Sequence, residues 1–189
     1  MSPLLNRRDL FIYMVGIGGA GMSSLAELLL SYGFKIIGSD LNYNFACKKL
    51  EKLGVKVFPY HSSENISSDI NLLIYSSAVN FSNPEIEKAC KLGIPCISRA
   101  EALADIARLK HTIAVAGSHG KTTVTALIGH ILEEAGLSPS LFLGGILKGK
   151  NCGAVLGKGS YIVVETDESD KSFLMFKPVV TVITNVDKE

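Results

Sequence analysis

The sequence predicts an α/β protein built on parallel sheets, and two observations carry that expectation. Short apolar runs of strand type alternate along the chain with stretches of helical spacing. The order strand, glycine-bearing turn, helix also occurs twice, once near the start and once beyond residue 110. Alternation of this kind is satisfied by a parallel sheet with crossover helices.

Taken in order, residues 10–15 form the first strand and lead into Gly16-Ile17-Gly18-Gly19-Ala20-Gly21. Residues 22–32 read as a helix, with Leu25, Leu28, Leu29 and Tyr32 on one face and Gly33 closing it. A second strand at 34–37 ends at Gly38-Ser39-Asp40. Strands at 55–58, 71–75 and 94–97 follow, separated by helices at 45–53 and 84–92. Pro84 suits a first helical turn and Asn83 suits the N-cap before it. Another helix is expected at 101–109, after which Lys110-His111 opens a new unit.

That unit starts with a strand at 111–115, passes through a glycine turn and enters a helix at 123–135. Residues 141–143 lead into Gly144-Gly145, residues 148–159 read as an exposed loop, and buried strands are expected at 161–164 and 179–184. The organisation expected is therefore a Rossmann-like parallel-sheet domain over 1–108, followed by a P-loop ATPase-type α/β domain over 109–189. The sequence stops at Asp187-Lys188-Glu189 directly after a strand, so the second domain reads as truncated.

The most informative segment is Ala116-Gly117-Ser118-His119-Gly120-Lys121-Thr122-Thr123. Glycines let backbone N–H groups converge on phosphate oxygens, and the following helix N-terminus adds a favourable dipole. Lys121 would reach the β- and γ-phosphates of ATP, and the Thr122 hydroxyl would ligate Mg²⁺. The spacing is a short G-x-x-G-K-T-T form, since Val115 stands where the longer pattern has its first glycine. Glu165-Thr166-Asp167-Glu168-Ser169-Asp170 follows a strand, and carboxylates at such a strand end suit Mg²⁺ beside a phosphate loop.

Gly16-x-Gly18-x-x-Gly21 meets the context of a dinucleotide-type fingerprint, with a strand before and a helix after. Asp40 follows about 20 residues on, where a carboxylate can accept bonds from ribose hydroxyls. The fingerprint alone does not separate NAD from another nucleotide diphosphate. An NAD reading leaves Lys121-Thr122-Thr123 and the acidic run without a role. Of the four histidines, His119 lies in the phosphate loop and His61 in a loop after a strand, where it could face the first nucleotide. His111 and His130 are read as structural, and Ser76-Ser77-Ala78 ends a strand on the ligand side.

Several separate motifs then agree in order. They are Gly16-Ile17-Gly18-Gly19-Ala20-Gly21-Met22, Gly38-Ser39-Asp40, Ser76-Ser77-Ala78, Arg99-Ala100-Glu101, the phosphate loop, the acidic run and Thr184-Asn185. This series closely resembles the bacterial muramyl ligase family, and within it the alanine-adding branch more than the branch that recycles murein peptides. The resemblance implies an ATP-dependent, amide-forming ligase acting on UDP-N-acetylmuramate and L-alanine through an acyl phosphate. It implies that Gly18, Gly19, Ala20 and Gly21 cradle the UDP diphosphate, with Asp40, His61 and Ser77 near the uridine or sugar. It further implies that Gly117, Ser118, His119, Gly120, Lys121, Thr122, Thr123 and Asn185 contact ATP. Thr122 and Glu165 would hold Mg²⁺, and Lys121, Thr122 and Glu165 would carry the chemistry. Ser118 and Thr166 are mild departures, since the family usually has Thr and Ala there. A metal-binding histidine and a third domain, which the family carries beyond Thr-Asn, are absent from the 189 residues. The chain alone is therefore expected to bind without ligating; a murein peptide-recycling ligase and a non-catalytic UDP-sugar-binding module are the alternatives.

Composition narrows the partners. A net charge of +1 gives no electrostatic case for nucleic acid or a membrane surface. No apolar run reaches the ~18 residues of a membrane span. Arg7-Arg8 precedes an apolar run too short for an export signal, so the protein is expected in the cytoplasm. Cys47, Cys90, Cys96 and Cys152 lack C-x-x-C pairing and zinc-type histidine spacing, and are read as reduced, mostly buried thiols.

Overall fold

The computed structural model describes residues 9–143, 154–166 and 172–187. The chain divides into two compact units, Met1–Ala102 and Leu103–Glu189. Each contains an α/β sheet in which one strand leads into a glycine loop.

In the first unit the elements are β1 (Phe11–Val15), α1 (Ala20–Ser31), β2 (Lys35–Ser39), α2 (Phe45–Lys52), β3 (Lys56–Phe58), β4 (Leu72–Tyr75), α3 (Pro84–Lys91) and β5 (Cys96–Ser98). The strand order is β3-β2-β1-β4-β5, and every pairing is parallel. β1 is central, with Ile12, Tyr13, Met14 and Val15 fully buried, as expected of a strand covered on both faces. Strand order reverses between β1 and β4, which opens a crevice beyond their carboxyl ends. The core on one face joins Tyr13, Val15 and Leu73 of the sheet to Ile86 and Ala89 of α3. Asn83 caps α3 by accepting from the Glu85 amide at 2.9 Å, with Pro84 in the first turn, as the sequence predicts.

α4 (Arg99–Ala107) contains the division between the units. The second unit continues with β6 (His111–Ala116), α5 (Lys121–Glu134), β7 (Ser140–Phe142), β8 (Ala154–Val155), β9 (Tyr161–Glu165) and β10 (Val180–Ile183). Its strand order is β10-β6-β9-β7-β8, with β8 antiparallel and the other pairings parallel. Val124, Ile128 and Leu132, spaced four apart on α5, pack against Ile113, Val115, Leu141 and Val163. Lys110 pins the strand ends beneath: its Nζ donates to Ser140 Oγ at 3.0 Å and to the carbonyls of Gly157 and Gly159 at 3.1 and 2.8 Å.

Three expectations change. The exposed loop expected over 148–159 contains the short strand β8 and the glycine carbonyls bound by Lys110; its residues 148–153 lie outside the described residues. β10 is not a buried strand: Val180 and Ile183 are exposed, because it pairs with β6 on one side and forms the sheet edge among the described residues. The thiols are not mostly buried either. Cys47 is buried, Cys96 half-buried and Cys90 exposed, the last because it faces outward on the final turn of α3; Cys152 lies outside the described residues. Among the described residues no helix is long and apolar enough to cross a membrane.

Candidate nucleotide-binding sites

In the first unit the glycine loop leaves β1 at the strand-order reversal, and Gly19 stands at the N-cap of α1 with no side-chain cap. The α1 amides are thus left facing the crevice, as an anion site requires. Asp40 follows β2 directly and accepts from the Gly18 amide at 2.7 Å through Oδ2 and from the Asn42 amide at 2.8 Å through Oδ1. Asn44, which caps α2, donates to the Gly18 carbonyl at 2.9 Å. Gly18 is held from both its amide and its carbonyl, and a Cβ there would run into Asp40 Oδ2 and Cys47 Sγ. Gly18, Gly19, Ala20, Gly21 and Asp40 are therefore one local assembly. Arg99 packs against the loop at Gly21. Ser77 lies exposed in the turn after β4, beside Ser76, whose amide donates to the Val15 carbonyl at 3.1 Å.

His61 joins this assembly through Ser39. Its Nδ1 lies 3.0 Å from Ser39 Oγ, and the Ser39 carbonyl accepts from the Gly16 and Ile17 amides. The same Nδ1 lies 2.9 Å from Oε2 of Glu85, a carboxylate with no exposure. Sequence reasoning did not single out Glu85. The Asn83-Pro84 cap that sets it in the first turn of α3 was legible, but nothing local said that this turn faces inward against β1 and β2.

In the second unit the phosphate loop leaves β6 between its two sheet neighbours, β9 and β10. Gly120, in left-handed conformation, is the N-cap of α5. Lys121 and Thr122 occupy the first turn. Lys121 Nζ donates to the Gly117 carbonyl at 2.7 Å, folding back over the loop. Thr122 Oγ1 lies 3.1 and 2.9 Å from the two carboxylate oxygens of Glu165, the last residue of β9.

The segment after β10 straps the loop from the other side. Asn185 Oδ1 accepts from the His119 amide at 2.9 Å, and its Nδ2 donates to the His119 carbonyl at 3.2 Å. Thr184 Oγ1 donates to that same carbonyl at 2.6 Å, and the Asp187 amide to Ser118 Oγ at 3.4 Å. Gly117 has φ 130°, and a Cβ there would collide with Thr184 Oγ1 and the Asn185 backbone. The His119 ring and Thr123 are exposed. A cavity of about 620 Å³ adjoins Gly117, Ser118, Asn185 and Asp187.

Hard oxygen donors at Thr122 and Glu165 suit Mg²⁺, and their mutual contact places them where one ion could be shared. Among the described residues there is no group of three or more His, Cys, Asp or Glu that could hold a metal. The remainder of the acidic run, Asp167 to Asp170, lies outside the described residues.

Comparison with known proteins gives a consistent result. The model of the Mur ligase family, catalytic domain, matches residues 11–111. A UDP-N-acetylmuramate–L-alanine ligase of Legionella pneumophila is 48% identical over 189 residues, covering 100% of this chain and 40% of that protein. The solved UDP-N-acetylmuramate-alanine ligase of Thermotoga maritima superposes with a TM-score of 0.84 at 37% identity, covering 95% of this chain and 42% of that one. A Neisseria UDP-N-acetylmuramate:L-alanyl-gamma-D-glutamyl-meso-diaminopimelate ligase gives the same TM-score at 26% identity, covering 96% and 62%. The chain thus spans about two fifths of the length of the alanine ligases it matches.

Proposed function

The chain belongs to the Mur ligase family, and we propose that it carries the UDP-sugar-binding and ATP-binding parts of a ligase joining L-alanine to UDP-N-acetylmuramate. Residues 1–108 would hold the UDP-sugar and residues 109–189 would contribute the phosphate loop of the ATP site. The observation that carries this reading is the pairing of Thr122 with Glu165 beside Lys121, beyond a sheet whose neighbour strands end at the loop. Dehydrogenase chemistry has no use for that set.

The whole enzyme would transfer the γ-phosphoryl group of ATP to the lactyl carboxylate, giving an acyl phosphate. The alanine amine then attacks the acyl carbon and phosphate leaves, forming the amide. Phosphoryl transfer offers a protein little covalent work, so its residues act by positioning and charge neutralisation. Lys121 would exchange the Gly117 carbonyl for phosphate oxygens. Loop amides from 117–120 and the α5 N-terminus would orient the phosphate chain. Thr122 and Glu165 would hold Mg²⁺, which when bound neutralises phosphate charge. Asn185 would fix the loop through both polar groups of His119. Both nucleotide substrates are cytoplasmic metabolites, which fits a cytoplasmic enzyme.

A murein peptide-recycling ligase is the second reading, kept because a tripeptide-adding relative matches the fold as well as the alanine ligase does. The higher identity to the alanine ligase favours the first. Phosphate release by the protein at the relatives' full length, with UDP-N-acetylmuramate and ATP, decides between them. Turnover with L-alanine and none with the tripeptide supports our reading; the reverse pattern assigns the recycling reaction. Residues 1–189 alone are expected to bind ligands without turnover.

A further inference from the structure

Glu85 is a carboxylate met by five polar groups of the protein, yet the reaction above gives it no part. It has no exposure. Its Oε1 accepts from Tyr13 Oη at 2.7 Å, Asn65 Nδ2 at 2.8 Å and the Ser62 amide at 3.3 Å. Its Oε2 accepts from Ser39 Oγ at 2.6 Å and faces His61 Nδ1 at 2.9 Å. Burial raises the Tyr13 phenol above its ordinary range, so that group remains a donor. Tyr13, Asn65, Ser62 and Ser39 all donate to it, which is what a buried carboxylate needs.

One consequence concerns the His61 ring. Ser39 Oγ spends its hydrogen on Glu85, so Nδ1 faces an oxygen lone pair on Ser39 at 3.0 Å and a carboxylate at 2.9 Å. A bare Nδ1 there would set lone pair against lone pair. The geometry therefore places a proton on Nδ1, and in the Nδ1–H tautomer Nε2 is the acceptor. The ring side chain retains 13% exposure, so it is not sealed in the core. Ser39 immediately precedes Asp40, and its carbonyl holds the Gly16 and Ile17 amides of the first glycine loop.

We infer that Glu85 is a positioning residue: it fixes His61 with Nδ1 protonated, so that Nε2 meets a hydrogen-bond donor of the nucleotide at the first glycine loop. This rests on the reading of the first unit as a UDP-sugar site. Tyr13, Asn65 and Ser39 complete the device by filling the other lone pairs of Glu85. The carboxamide of Glu85→Gln cannot serve all five donors, because its nitrogen is itself a donor. With that nitrogen toward His61 and Ser39, Nδ1 becomes the acceptor and the proton moves to Nε2.

The test is ¹⁵N NMR of histidine-labelled 189-residue chain at neutral pH, with UDP titrated by calorimetry. Wild-type His61 is expected as the Nδ1–H tautomer, and Glu85→Gln is expected to shift it toward Nε2–H. The same variant is expected to weaken UDP binding about tenfold or more. His61→Asn keeps a donor at the Nδ1 position but lacks the Nε2 acceptor. It should fold with Glu85 still satisfied and lose UDP affinity to a similar degree. An Nε2–H tautomer or an imidazolium in the wild type overturns the inference. So does unchanged UDP affinity in folded Glu85→Gln or His61→Asn. A wild-type chain that does not bind UDP overturns the UDP-sugar reading instead, and the tautomer measurement still decides the placement of the proton.

Discussion

Thr122 and Glu165, 43 residues apart in sequence, meet side chain to side chain: the threonine hydroxyl lies 2.9 and 3.1 Å from the two carboxylate oxygens. The contact exists because β9 pairs directly with β6, so the end of one strand adjoins the loop that leaves the other. A hydroxyl and a carboxylate so placed can turn together toward one hard cation. Thr122→Ala or Glu165→Gln is expected to weaken Mg²⁺-dependent ATP binding by about tenfold or more while leaving metal-free nucleotide binding less affected. Titration of ATP with and without Mg²⁺ checks this; equal losses under both conditions would contradict the shared role.

Gly117 tests the strap after β10. Its φ of 130° lies where side chains are strained, and a Cβ would strike Thr184 Oγ1 and the Asn185 backbone. Gly117→Ala is expected to destabilise the second unit by about 1–3 kcal/mol from backbone strain, with the collision adding to it. Denaturant unfolding gives the stability loss, and ATP titration should show binding lost with it. A fully stable variant that binds ATP normally would contradict the strap as drawn.

Both glycine loops, the acidic end of β9 and the Asn83-Pro84 cap were legible because each is a local signal: turn chemistry, apolar run length and capping act over a few residues. The parallel class followed from alternation alone. What stayed hidden was set by pairing. β8 is two residues long, too short for a period to be read. The exposure of β10 depends on its having, among the described residues, one strand partner, β6. Glu85 looks like an ordinary charge in a polar first turn of α3. Only the tertiary fold, which sets the first turn of that helix beside β1 and β2, brings it to Tyr13, Ser39 and His61.

Lys110 is an example of a residue whose role is structural although its charge suggests a ligand. Three oxygens from two segments converge on its ammonium, and burial holds its pKa below the ordinary lysine range. Because the folded value is depressed, the unfolded chain binds more protons in the window between that value and about 10.4. Stability contributed through this group therefore rises with pH across that window and is level below it. Lys110→Ala is expected to cost about 1–3 kcal/mol, since it takes the lysine donor from the Gly159 carbonyl and one of two donors from the Gly157 carbonyl and Ser140 Oγ. Denaturant midpoints at neutral pH measure the cost; an unchanged midpoint would contradict it.

The two thiols at the α3–β5 turn should separate by reactivity. Cys90 Sγ and Cys96 Sγ are 3.9 Å apart, but Cys90 is exposed while burial, reinforced by Cys90, pushes the Cys96 thiol up to about 12. Thiolate is the reacting form, so Cys96 is almost wholly unreactive at neutral pH. Iodoacetamide under native conditions is expected to label Cys90 well before Cys96 and the buried Cys47, read by peptide mass mapping. Simultaneous labelling of Cys90 and Cys96 would contradict the burial of the second.

We propose above that the first unit holds a UDP-sugar, with Asp40 anchored on Gly18. Calorimetric titration of the 189-residue chain with UDP-N-acetylmuramate, beside NAD, tests it most directly. Saturable binding of the UDP-sugar is expected, with none of NAD, and loss of the former on Asp40→Ala, which frees the Gly18 amide. NAD binding without UDP-sugar binding would contradict it and return the first glycine loop to dinucleotide chemistry.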